Sequence, residues 1–249
     1  MKTLFKNLYV VFLFVLLTSC EKKENIATAN VSLNFANLMN NSPLLLENTT
    51  YTTALGGRFT VSELKYYISN IKLINSQTGK VFTEPDSYHL IERKSDTHID
   101  EVVIKNVTLG KYDQIEFAVG IDKPRNLSTD QVGDLDPSNN MAWDWKTGYK
   151  FLLLEGNVFL STGERRGLVY HVGADENYRT ILLNFPSVEN LKVEEGKTPT
   201  INISVEIAKL FNSPNRIDIE QHRTVMFSEV AGKVADNYAT MFSIEKVGL

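Results

Sequence analysis

The chain has 249 residues, 43% hydrophobic and 22% charged, with 26 basic against 30 acidic side chains and a formal net charge of −4. That length suits one large β domain or two small ones with a real core, and the acidic balance argues against a nucleic-acid partner. Cys20 is the only cysteine, which excludes an intramolecular disulfide, so the fold must be held by its core alone.

At the N-terminus, Lys2 and Lys6 precede and flank the start of an unbroken apolar run from Leu8 to Leu17. This is signal-peptide length, too short to span a bilayer stably. The run ends in Leu17-Thr18-Ser19-Cys20, the small-residue-then-Cys pattern that lipoprotein processing requires. Residues 1–19 are therefore expected to be removed, leaving Cys20 as the lipid-bearing first residue. Removal takes away two basic residues and no acidic ones, leaving 24 against 30, a formal charge of −6. No later apolar stretch approaches membrane-spanning length, so the expected location is the cell envelope, facing periplasm or cell surface and attached through the acyl chains alone. Residues 20–30 read as a polar tether and 31–249 as one domain.

Period-two alternation dominates that domain. Val31, Leu33 and Phe35 start the pattern, Ile115, Phe117, Val119 and Ile121 repeat it, and Ile201, Ile203, Val205 and Ile207 alternate strictly with polar residues. Alternation puts one set inside and the other in water, as in a half-buried strand. Further strands are expected over Lys65 to Ile74, Val102 to Leu109, Tyr149 to Leu154, Gly167 to Val172 and Thr180 to Phe185. Turn residues punctuate them at Asn40-Asn41-Ser42-Pro43, Gln77-Thr78-Gly79-Lys80 and Ser161-Thr162-Gly163. The fold class that follows is all-β, an antiparallel, Greek-key-like β-sandwich. Near the end, Val230, Val234 and Tyr238 recur at helical spacing, so a short C-terminal helix is expected between Ser228 and Phe242.

Between Gly133 and Gly156 an Asp- and Asn-rich loop leads into Met141-Ala142-Trp143-Asp144-Trp145, which contains both tryptophans of the chain. Extended backbone here sets Met141, Trp143 and Trp145 on one face. From residues alone, the two rings either cap the end of the core or form an exposed platform with Tyr149 for a glycan or a protein. Asp134, Asp136, Asn139 and Asn140 offer oxygen donors at short spacing, yet lack the register of a calcium loop and equally suit a turn. The four histidines, His89, His98, His171 and His222, have no close metal-ligand spacing. No serine nucleophile elbow or supported carboxylate pair points to an enzyme.

Several separated motifs resemble the MbnP-like domain family, in the form of a Bacteroidetes-type lipoprotein member. They are Lys65 to Leu73 (KYYISNIKL), Val119-Gly120-Ile121-Asp122 with Asn126, and Gly133 to Pro137 (GDLDP). They continue through Met141-x-Trp143-x-Trp145-x-x-Gly148-Tyr149-Lys150-Phe151, Glu155-Gly156 and Tyr170-His171-Val172-Gly173. The resemblance implies a sandwich-like β fold and one copper site, in which a tryptophan oxidised to kynurenine by a dihaem cytochrome c peroxidase-like partner helps to bind the metal. Carried over by motif, Trp143 or Trp145 is the candidate for oxidation, His171 the candidate imidazole ligand and Met141 a further candidate. Many relatives have a histidine two residues beyond the position of Phe35, where this chain has Asn37, a poor copper ligand. A weaker site than the family's usual one is expected, strengthened by Asn37→His. The protein is expected to receive the oxidation and not to be an enzyme itself.

Overall fold

The computed structural model describes residues 27–93, 99–128, 131–144, 147–186 and 190–249. The expected signal segment, Cys20 and most of the tether lie outside these residues, as do His98 and Trp145. In chain order the principal strands are β1 (Thr28–Met39), β2 (Arg58–Asn75), β3 (Tyr88–Glu92), β4 (Ile99–Thr108), β5 (Gln114–Val119) and β6 (Ala142–Asp144). They continue with β7 (Gly148–Phe159), β8 (Arg165–Gly173), β9 (Arg179–Asn184), β10 (Thr200–Glu206), helix α1 (Glu229–Tyr238) and β11 (Phe242–Gly248).

Among the described residues, a five-stranded sheet runs β11-β10-β1, with β4 on the other edge of β1. A ten-stranded sheet runs β9-β5-β2-β7-β8 and includes β3 and β6. The sheets face one another across one core. From the small sheet come Val31, Leu33 and Phe35 of β1 with Ile201, Ile203 and Val205 of β10, all at most 1% exposed. Leu64, Tyr66 and Ile68 of β2, Leu152 and Leu154 of β7, and Tyr170 and Val172 of β8 meet them from the large sheet. Each such aliphatic side chain stabilises the fold by about 1.5–3 kcal/mol relative to exposure.

The fold is all-β and sandwich-like, as the alternation predicts, with three local differences. The first strand starts at Thr28, inside the stretch read as tether, because Thr28 and Ala29 pair with Thr108 and Val107 of β4. β1 and β10 run parallel, which antiparallel patterning does not foresee; most of the large sheet intervenes between them in sequence, ample for a crossover. Helix α1 forms where its spacing predicts and buries Ala231, Val234, Ala235 and Tyr238. The chain after it returns as β11 to pair with β10, with an irregularity between Asn202 and Ile203.

Candidate functional site

The other face of the large sheet positions the motif residues. Lys65 of β2, Leu153 of β7 and His171 of β8 are aligned across the sheet, so their side chains share the face opposite to Tyr66, Leu152 and Val172. A second, smaller cluster forms on this outer face from Tyr67, Ile121, Leu135, Met141, Tyr149, Phe151 and Leu153. The described residues between Ile121 and Ala142 cover it and are tied down by polar tips on aromatic bodies. Tyr67 Oη donates to the Asp134 carbonyl at 2.7 Å and Tyr149 Oη to the Leu135 carbonyl at 2.5 Å. Asn126, 1% exposed, accepts the Tyr149 N–H at 2.9 Å and donates to Asp175 at 2.8 Å.

The same loop uses three of the four residues considered for calcium in its own hydrogen bonds. Asp136 caps the Ser138 N–H and Asp134 accepts the Leu90 N–H. Asn139 donates to the carbonyls of Gly133 and Asp134. Among the described residues no three His, Cys, Asp or Glu side chains gather as a metal-binding set.

Trp143 lies on β6, half-buried, with its six-membered ring against Gly173. A Cβ at residue 173 would fall 2.6 Å from Trp143 Cζ3 and 2.3 Å from the Tyr149 carbonyl oxygen, closer than real side chains approach. Strand alternation directs positions 171 and 173 of β8 to one face, so the tryptophan and His171 occupy the same side of the sheet. The spacing His171-x-Gly173 thus has a physical reason: one residue offers an imidazole, the other room for the indole. The outward side of the indole meets Phe227, at 4.7 Å between ring centroids, and Phe227 is itself 63% exposed. A cleft of about 500 Å³ beside them is lined by Gly173, Ala174, Met226 and Phe227, among others.

His171 Nε2 lies 2.7 Å from Glu155 Oε1, and the histidine side chain is 12% exposed. Burial holds the imidazole below its ordinary value; the Glu155 hydrogen bond opposes this, and the positive charge of Lys150 reinforces it. Because the folded state resists a proton that the unfolded chain accepts near pH 6.5, His171 favours folding above that pH. Its contribution should be lost as pH falls from 6.5 through the lower folded value. An NMR titration of the His171 ring should find a midpoint below 6.5, and His171→Gln should flatten the fall in stability between pH 7 and 5. A midpoint at or above 6.5 would contradict this.

Other residues singled out in the sequence are placed elsewhere. Met141 is fully buried in the outer cluster. Tyr149 is also fully buried, so it contributes no surface to an aromatic platform. His89 pairs with Glu84 at 2.8 Å on β3, and His222 is exposed. Asn37 is fully buried inside the sandwich, accepting from Tyr66 Oη and donating to Asp100, each at 2.9 Å. Tyr66 lies on the inner face of the large sheet and His171 on the outer, so the sheet separates Asn37 from His171. A histidine at position 37 would not complete a site at His171, contrary to the expectation drawn from the sequence. Phe227 and the hydrogen bond from Lys150 to the loop were not found from sequence; alternation does not reach contacts made by loops and strand ends.

The model of the MbnP family matches residues 28–227 of the chain. Among solved structures, MbnP from Methylosinus trichosporium is similar in fold, with a TM-score of 0.55 at 17% sequence identity, over 78% of this chain and 81% of that one. No curated protein matches the sequence.

Proposed function

This chain belongs to the MbnP family, and on that premise we propose an envelope lipoprotein, anchored through Cys20, that binds one copper ion on the outer sheet face after Trp143 or Trp145 is oxidised to kynurenine. The observation that carries the reading is the meeting of Trp143 with Gly173, on the strand face that presents His171. Conversion opens the indole ring, replacing one carbon, lost as formate, by a carbonyl oxygen and exposing an aniline nitrogen. The oxidant is supplied by a dihaem cytochrome c peroxidase-like partner, and the protein is substrate in that step, not enzyme.

The donor chemistry fits the group. Burial favours the neutral imidazole, the form that ligates, and Glu155 orients the ring as an outer carboxylate does in many metal sites. An aniline nitrogen with an imidazole suits a soft or borderline ion, whereas a face with only carboxylates and amides would not. Bound copper would supply a soft, redox-active centre. His171 binds, Glu155 orients, and Gly173 leaves space for the aromatic donor.

Converted protein should bind about one copper, and His171→Ala should weaken binding by about a hundredfold, at least the loss typical of removing an outer partner. Asn37→His should leave the affinity unchanged, because it sits on the other side of the sheet. Competition titration with a chromophoric copper chelator measures both; affinity indifferent to His171→Ala would remove His171 from the site. A second reading retains the exposed Phe227, tilted against Trp143, as a small aromatic contact surface for a glycan or protein. It is favoured if tryptophan in host-derived protein stays unmodified.

A further inference from the structure

Three consecutive carbonyls lead into Trp143, and each is held by a lysine. Lys150 donates its backbone N–H to the Met141 carbonyl at 2.7 Å. Its ammonium Nζ donates to the Asn140 carbonyl at 2.8 Å. Lys65 Nζ reaches the Asn139 carbonyl at 3.4 Å from between Glu63 and Glu92, at 2.9 and 3.2 Å. Lys150 is also the residue of β7 that pairs with Gly173 of β8, the glycine on which the Trp143 ring rests. One residue therefore touches both the segment that delivers the indole and the strand that receives it.

We propose that Lys150 is a positioning residue for oxidation of Trp143: its ammonium fixes the Asn140 carbonyl, and so the angle at which β6 lays the indole onto Gly173. The part of this that concerns oxidation rests on the function proposed above; the seating of the indole does not. A charged donor on a carbonyl gives a short, strong hydrogen bond, here at 2.8 Å. Its effect is separable from the fold, because the backbone bond from Lys150 to Met141 survives any side-chain change. Lys65 is the less useful probe: its removal would leave Glu63 and Glu92 without their shared cation. Lys150 acts on the carboxylates of Glu155 and Glu63 through its charge alone, which Lys150→Arg retains, and among the hydrogen bonds named its Nζ on the Asn140 carbonyl is the one that Lys150→Met deletes.

The test uses the full mature chain made without the oxidising partner, in a Trp145→Phe background, so that Trp143 is the sole tryptophan. Lys150→Met should shift Trp143 emission to longer wavelength and raise its quenching by acrylamide, with an unfolding midpoint close to the parent's. Lys150→Arg, which keeps charge and donors, should restore both signals. If Lys150→Met fails to fold, Lys150→Gln removes the charge with a smaller loss of polarity and is read in the same way. Unchanged emission and quenching in a folded variant overturn the proposal. In the native host, the fraction of Trp143 carrying the kynurenine mass should fall about tenfold in Lys150→Met, the scale of one charge-assisted hydrogen bond, and recover in Lys150→Arg. Undiminished conversion of a displaced Trp143 overturns the link to oxidation. Absence of conversion in the unsubstituted protein instead brings down the copper reading, and the fluorescence result then decides the seating role alone.

Discussion

Ile203→Asp should unfold the domain or destabilise it by about 4 kcal/mol or more, the range reached when an unpaired charge replaces a well-packed core side chain. Ile203 is 1% exposed and stands in β10 between Phe35 of β1 and Ile244 of β11. The aspartate would lose the aliphatic contacts and find water neither above nor below. The neighbouring Asn202→Asp is the matched control. Asn202 faces outward and accepts a hydrogen bond from Asn34 Nδ2 at 3.1 Å through Oδ1, an acceptor that aspartate retains. Its effect should stay within about 0.5 kcal/mol, as for most surface changes. Thermal unfolding of the two variants checks the pair, and equal effects would mean that the inner and outer faces of β10 are reversed.

Gly173→Ala should cost about 3 kcal/mol, at the upper end of ordinary overpacking, because one of the two obstructing groups is backbone. The added methyl would stand 2.3 Å from the Tyr149 carbonyl and 2.6 Å from the Trp143 ring. The ring can swing away but the carbonyl, held in β7, cannot. Emission from Trp143 should therefore move to longer wavelength together with the loss of stability. Gly167→Ala, in the same strand with nothing within 4 Å of its added carbon, should do neither. A Gly173→Ala protein with parental stability and parental emission would show that the indole does not rest on residue 173.

The sandwich was legible because its strands carry alternation long enough to mark a face: Val31, Leu33 and Phe35, then Ile201, Ile203 and Val205, are core as their spacing requires. β11 was not legible. In Phe242 to Gly248 only Phe242 and Val247 are buried, five positions apart, so neither period two nor helical spacing emerges. Asn37 has the parity of an inward residue and is inward, yet nothing in a single strand tells which face of the opposite sheet a distant histidine takes. That depends on the register of β2, β7 and β8, a non-local property. The glycine of His171-x-Gly173 stood in the motif without its reason, which is the indole of a residue thirty positions earlier in the chain. The contact of Lys150 with the loop was not legible, since a lysine at a strand end is ordinarily a solvated one.

The claim that Trp143 or Trp145 is converted is tested most directly by mass spectrometry of protein purified from its native host, on the peptide containing both. The expected result is that one tryptophan has lost a carbon and gained an oxygen, while protein made without the partner keeps both indoles. An intact-mass spectrum of the same protein should carry the acyl chains on Cys20. Two unmodified tryptophans in host-derived protein would contradict the copper reading and leave the Trp143 and Phe227 surface as the better account of this face.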